Sequence, residues 1–128
     1  MSPARRYLGS FPCSAAGARS ARSALKQFAR LYLANRQLDD FETAIGEALA
    51  NAVEHSAATK IAVACAYESS HLIAEIKDDG CGFFPAASVS RPPHDAVRGF
   101  GLFIMHQLLD EIEFLDGGRR LRLVMRVP

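Results

Sequence analysis

The sequence predicts an α+β fold: a two-layer α/β sandwich in which a mixed sheet is covered on one face by helices. Two observations carry this expectation. Strand-like segments come in pairs joined by tight turns, at residues 60–77 and again at 111–127, and hairpins build sheets from neighbours in sequence. Helical periodicity is segregated into a block before the first pair and a short stretch between the two pairs, which places helices on one side of the sheet.

Residues 5–12 (RRYLGSFP) alternate weakly and stop at Pro12, the expected pattern of a short strand. Residues 13–19 are small and polar and read as a loop. Ser20 is placed as the cap of a helix running to about Asn35, with apolar positions 21, 24, 25, 28, 31 and 32 on one face. Asp39 opens D-x-x-E with Glu42, a capping-box pattern. Phe41, Ala44, Ile45, Ala48, Leu49, Ala52 and Val53 form the apolar stripe of the helix that follows. After Ser56 the period drops to two. Residues 60–68 (KIAVACAYE) and 71–77 (HLIAEIK) are two strands turned by Ser69-Ser70. A glycine-rich turn comes next. Residues 83–98, with Pro85, Pro92 and Pro93, read as a long loop, and loops of that length in small domains are commonly functional. Residues 101–109 return to helical spacing. Residues 111–115 and 119–127 close the chain as a hairpin around Asp116-Gly117-Gly118.

The 128 residues suffice for one domain with one core, and all of them (1–128) are assigned to it. A hydrophobic fraction of 49% with 23% charged residues excludes wholesale disorder. No apolar run approaches the length of a membrane span. The three cysteines (Cys13, Cys65, Cys81) form no C-x-x-C pair, which argues against a zinc knuckle or disulfide scaffold and for a reducing, cytoplasmic setting.

The formal net charge of +1 is unevenly spread: the first 38 residues hold seven basic side chains and no acid. That asymmetry fits a basic interaction face, or an acid-poor transit peptide. The direct passage into a regular helix pattern favours a segment that belongs to the fold. Its aromatics (Tyr7, Phe11, Phe28, Tyr32) sit at core positions rather than on a stacking platform, so direct nucleic-acid binding is not expected.

Three features point to chemistry. Glu47 and Asn51 lie four apart on the second helix and share a face. Glu54 and His55 continue that polar stripe, and a solvated helix face would explain it equally. Asn is a poor mid-helix residue because its amide competes for backbone hydrogen bonds. Holding a hard cation through its carbonyl oxygen gives it a reason to be there. The second feature is Asp78-Asp79-Gly80-Cys81-Gly82-Phe83 at a strand end, where glycines let the backbone approach a ligand and a carboxylate can accept from an exocyclic amine. An ordinary turn has the same composition. The third is Arg98-Gly99-Phe100-Gly101-Leu102-Phe103, a glycine pair opening a helix, whose N–H groups suit phosphate. Helix capping accounts for a lone G-x-G as well, and neither a P-loop nor a Rossmann fingerprint is present.

In this order, E-x-x-x-N on a helix, D-x-G-x-G after a strand, a long loop and G-x-G-L at a helix start resemble the GHKL (Bergerat-fold) ATPases. That superfamily includes gyrase B, the MutL proteins, histidine kinases and the bacterial anti-sigma serine kinases. The resemblance covers about residues 38–127. Glu47 to His55, Gly99 to Met105 and Leu109 to Glu113 look like the anti-sigma serine kinase branch (RsbW and SpoIIAB type). It implies that Asn51 holds Mg²⁺ against the triphosphate of ATP and that Glu47 is the general base. It implies that Asp78 recognises the adenine amine, with Gly80 and Gly82 shaping the turn around the base. Gly99, Gly101 and Leu102 would form the phosphate cradle, residues 83–98 the ATP lid, and Arg98 would add positive charge. The implied function is an anti-sigma factor and serine-protein kinase. Its partners would be a STAS-domain anti-anti-sigma factor, a sigma factor and, as an open alternative, a second copy in a homodimer. A detached histidine kinase ATPase domain and a nucleotide switch without kinase activity remain as other readings. One departure stands out: many relatives carry a Thr on a late strand beside the adenine-binding Asp, whereas residues 118–123 (GRRLRL) contain no hydroxyl.

Overall fold

Strand β1 (Arg6–Pro12) alternates exposed and half-buried residues along its length and ends at Pro12, whose ring cannot donate to a ladder. The computed structural model that shows this describes residues 5–55, 58–80 and 100–128, the side chains of 55 and 100–102 excepted. Helix α1 (Ala15–Ala29) follows at once, because Ser14 caps it: the Gly17 N–H donates to Ser14 Oγ at 3.0 Å. The helix therefore begins five residues before the Ser20 expected from sequence. Gly17 is required there by a close approach, since a Cβ would stand 1.8 Å from the Pro12 carbonyl oxygen. The C-terminal end differs too. The helix stops at Ala29, so Leu31 is 57% exposed rather than core, and Leu33 turns inward in its place.

Asn35, at φ 52°, opens helix α2 (Asn35–His55), one turn before the expected Asp39 start. Phe41, Ala44, Ile45, Ala48, Leu49 and Ala52 are its buried stripe, as the periodicity predicts. The Lys26–Glu42 ion pair (2.8 Å) joins α1 to α2 across their outer rim. Strands β2 (Lys60–Glu68) and β3 (His71–Asp78) form the expected hairpin. Ser69 and Ser70 both adopt positive φ, the twist that lets a two-residue turn match its strands. Helix α3 (Phe100–Leu108), β4 (Glu111–Leu115) and β5 (Arg120–Arg126) complete the order, β4 and β5 joined through a 3-10 turn at Asp116–Gly118.

The sheet order is β1-β2-β3-β5-β4, and every pairing is antiparallel. The two-layer sandwich is as expected, but the sheet of the described strands is not mixed. The physical reason lies in the connections. Two helices between β1 and β2 make three chain reversals, an odd number, so the strands meet antiparallel. One helix between β3 and β4 would make them parallel neighbours, but β5 inserts between the two and opposes both. Alternate residues on the helix side supply the core: Ile61, Val63 and Cys65 of β2, Leu72, Ala74 and Ile76 of β3, Leu121 and Leu123 of β5. Helix α2 contacts both α1 and α3, which puts it in the middle of the helix layer.

Candidate functional site

The last inward position of β3 is Asp78. It continues the row Leu72, Ala74, Ile76 and lies across the ladder from buried Ile61, so alternation directs its side chain under the helix layer. Only 7% of Asp78 is exposed, and among the described residues it is the one charged side chain buried to that degree. A buried carboxylate needs donors. The Gly80 N–H provides one, donating to Oδ1 at 2.8 Å, so the glycine-rich turn folds back onto the acid. The Asp78 N–H in turn donates to the Arg119 carbonyl (2.9 Å) just before β5. The late strand thus supports this position through its backbone. The inward residue of β5 beside Ile76 is the apolar Leu121, consistent with the absence of a hydroxyl noted in the sequence.

Glu47 and Asn51 are half-buried on α2, at the border of its apolar stripe. A groove of about 360 Å³ between α1 and α2 is lined by residues including Arg22, Gly46, Ala50 and Glu54, but by neither Glu47 nor Asn51. The polar stripe of α2 is therefore divided, with Glu54 exposed at the α1 groove and Asn51 turned away from it.

Cys13, between β1 and α1, approaches both halves of the site. Its thiol lies against the carbonyl of Ala52, the residue after Asn51, at 3.7 Å. Burial raises the Cys13 thiol pKa, and the negative charges of Asp78 and Asp79 raise it further. The end of β3 and the last turns of α2 thus converge on this residue. Cys65, in the core of β2, is pushed by burial to about 12 and is an inert thiol.

The donor set fits Mg²⁺ and adenine nucleotide. Asn51 offers a neutral amide oxygen, the hard ligand type that Mg²⁺ takes. Asp78 offers a desolvated acceptor at a glycine turn. Among the described residues no three His, Cys, Asp or Glu side chains cluster as a ready-made metal site. Gly82, Arg98 and Gly99, the segment 83–98 expected as the lid, and Cys81 lie outside the described residues. Gly101 and Leu102 fall in the first turn of α3, which starts one residue before the expected position.

Sequence reasoning missed the second acid of the turn. Asp79 accepts from the Thr59 N–H (2.8 Å), the Lys60 N–H (3.1 Å) and the Thr59 hydroxyl (2.7 Å). Those bonds, the hydroxyl's first, hold its pKa down from 3.8 to about 2. The only sequence signal was a hydroxyl residue at the start of a strand facing an acid-rich turn.

Comparison with known proteins agrees with this architecture. No curated protein matches the chain. Among solved structures, the RsbU and RsbW domains of Rv1364c from Mycobacterium tuberculosis superpose with a TM-score of 0.70 at 22% identity. The alignment covers 98% of this chain and 33% of that one, so the chain spans about a third of its neighbour and the likeness is one of fold. The model of the histidine kinase-like ATPase domain family matches residues 11–126. That range runs from the end of β1 through β5 and takes in every described site residue, and the chain belongs to the histidine kinase-like ATPase domain family.

Proposed function

We propose that this chain is an ATP-binding regulator of the anti-sigma serine kinase type, acting on a STAS-domain anti-anti-sigma factor and sequestering a sigma factor. The observation that carries the reading is the buried Asp78 at the inward end of β3, with the Gly80 N–H folded onto it. An acid so placed accepts from the adenine C6 amine and discriminates against guanine, which presents a carbonyl there. The half-buried pair on α2 supplies the rest. Asn51 holds the metal with its amide oxygen. Mg²⁺, when bound, neutralises charge on the phosphates. Glu47, one turn earlier, takes the proton from the incoming serine hydroxyl as its oxygen bonds to the γ-phosphorus and the bond to ADP breaks. The backbone around Gly99, Gly101 and Leu102, with Arg98, is assigned to the phosphates, and Gly82 to the turn around the base.

The partners follow from the branch that the motifs resemble, and the neighbour's chain, which carries an RsbW domain, supports the same branch. A homodimer and a cytoplasmic setting belong to the same proposal. Among the described residues no helix is long and apolar enough to cross a membrane. A second reading, a nucleotide switch without phosphoryl transfer, is favoured by one observation: β5 presents Leu121 rather than a hydroxyl opposite Ile76, two residues before Asp78.

Radiolabelled Mg-ATP, the protein and a STAS-domain candidate decide between the two. Label should pass to the STAS domain, and Glu47→Gln should keep ATP binding while losing transfer by roughly 10²–10⁴-fold. Normal ATP and partner binding, with no transfer by either form, would leave the switch.

A further inference from the structure

The two acids at the end of β3 turn to different tasks. Asp78 goes under the helices. Asp79, which is exposed, reaches back to the start of β2 and gathers three hydrogen bonds from Thr59 and Lys60. Thr59 is itself held from the other side, its carbonyl accepting from the Cys13 N–H at 2.9 Å. The Cys13 thiol then rests on the Ala52 carbonyl of α2. A continuous path of polar contacts therefore runs from Asp79, through Thr59 and Cys13, to the carbonyl of Ala52, the residue after Asn51.

We infer that Asp79 is a positioning residue for nucleotide, fixing the spacing between Asp78 at the end of β3 and Asn51 on α2 by clamping Thr59. This rests on the reading of Asp78 as the base contact and Asn51 as the metal contact. A ligand that spans both must meet them at one separation. If the clamp is lost, the strand end and the helix move independently, and a small displacement of a positioned group is costly. The depressed pKa of Asp79, near 2, agrees with a carboxylate that is fully ionised and fully engaged at neutral pH.

A ligand that uses one contact separates this role from a merely structural one. Adenosine engages Asp78 alone, whereas Mg-ATP engages Asp78 and Asn51. Asp79→Ala should weaken Mg-ATP by about 10- to 100-fold and adenosine much less. Thr59→Ser keeps the hydroxyl and both N–H donors and should bind Mg-ATP like wild type. Thr59→Val removes only the hydroxyl. It should show the same selective loss to a smaller degree, and it serves as the variant if Asp79→Ala does not fold. The inference is overturned if the folded variant binds Mg-ATP within about twofold of wild type, the usual limit of independent sites. Equal proportional loss of adenosine and Mg-ATP overturns it as well. Failure of wild type to bind Mg-ATP would defeat the nucleotide reading itself, a result distinct from either.

Discussion

Replacing Asp78 by Asn tests the base contact with almost no change of shape. The Gly80 N–H, 2.8 Å from Oδ1, must still be accepted by the side chain at 78. In the variant only the amide oxygen can accept it, which turns the NH₂ group toward the rest of the pocket. The proposed adenine amine then meets a donor instead of a carboxylate. A hydrogen bond to a charged group is worth about 1.5–3 kcal/mol. Its loss corresponds to roughly 10- to 150-fold in dissociation constant. Because Asp78 is 7% exposed, water compensates little for the mismatch, and the upper part of that range is expected. Guanine presents a carbonyl at the same place, to which the new amide can donate. Calorimetric titration of Mg-ATP and Mg-GTP into both proteins should therefore show a large fall for ATP, little fall or a gain for GTP, and a narrowed preference. Unchanged ATP affinity would refute the assignment. Equal losses for both nucleotides would show instead that Asp78 only supports the turn.

Two further expectations follow from the same geometry. Asn51→Ala should abolish the Mg²⁺-dependent part of ATP affinity while melting without nucleotide at or slightly above wild type, since Ala gains up to about 0.7 kcal/mol of helix propensity there; a variant stabilised by Mg-ATP as strongly as wild type would contradict the metal assignment. Asp79 has a folded pKa lowered from 3.8 to about 2, so its contribution to stability is present above the unfolded value and is lost as pH falls through the folded one. The difference in melting temperature between wild type and Asp79→Asn should accordingly be constant at neutral pH, begin to shrink near pH 4 and be fully lost only below about 2, and a difference that does not change over that interval would refute the clamp.

The strands were legible because alternation is local: residues 60–68 and 111–115 are the observed β2 and β4 to the residue. The stripe of α2 was legible for the same reason. What escaped the sequence depended on distant neighbours. The start of α1 was hidden by Gly17, which reads as a loop residue until the Pro12 carbonyl is seen lying where a side chain would be. The helix start at Ser14 needs only a cap and four small residues, a pattern with no apolar periodicity to announce it. Leu31 fits a helical wheel that the chain leaves two residues earlier. The direction of β4 relative to its neighbours depends on where β5 inserts, which no local pattern encodes. In the site, Asn51 was conspicuous as a poor mid-helix residue, Glu47 because it lies one turn before it on the same face, and Asp78 because it opens a glycine-rich turn at a strand end. Asp79 was not, because an acid in a turn is ordinary. Its role comes from Thr59, twenty residues earlier, and from the hydrogen bond that ties Thr59 to Cys13.

The central claim is that this fold presents one nucleotide site, built from the end of β3 and the outer border of α2. A crystal structure of the chain with Mg²⁺ and a non-hydrolysable ATP analogue measures it directly. The account predicts the adenine amine within about 3 Å of the Asp78 carboxylate, and the metal bound by the Asn51 amide oxygen between the protein and the phosphates. Nucleotide seated instead in the groove between α1 and α2, or adenine with its amine turned away from Asp78, would contradict it.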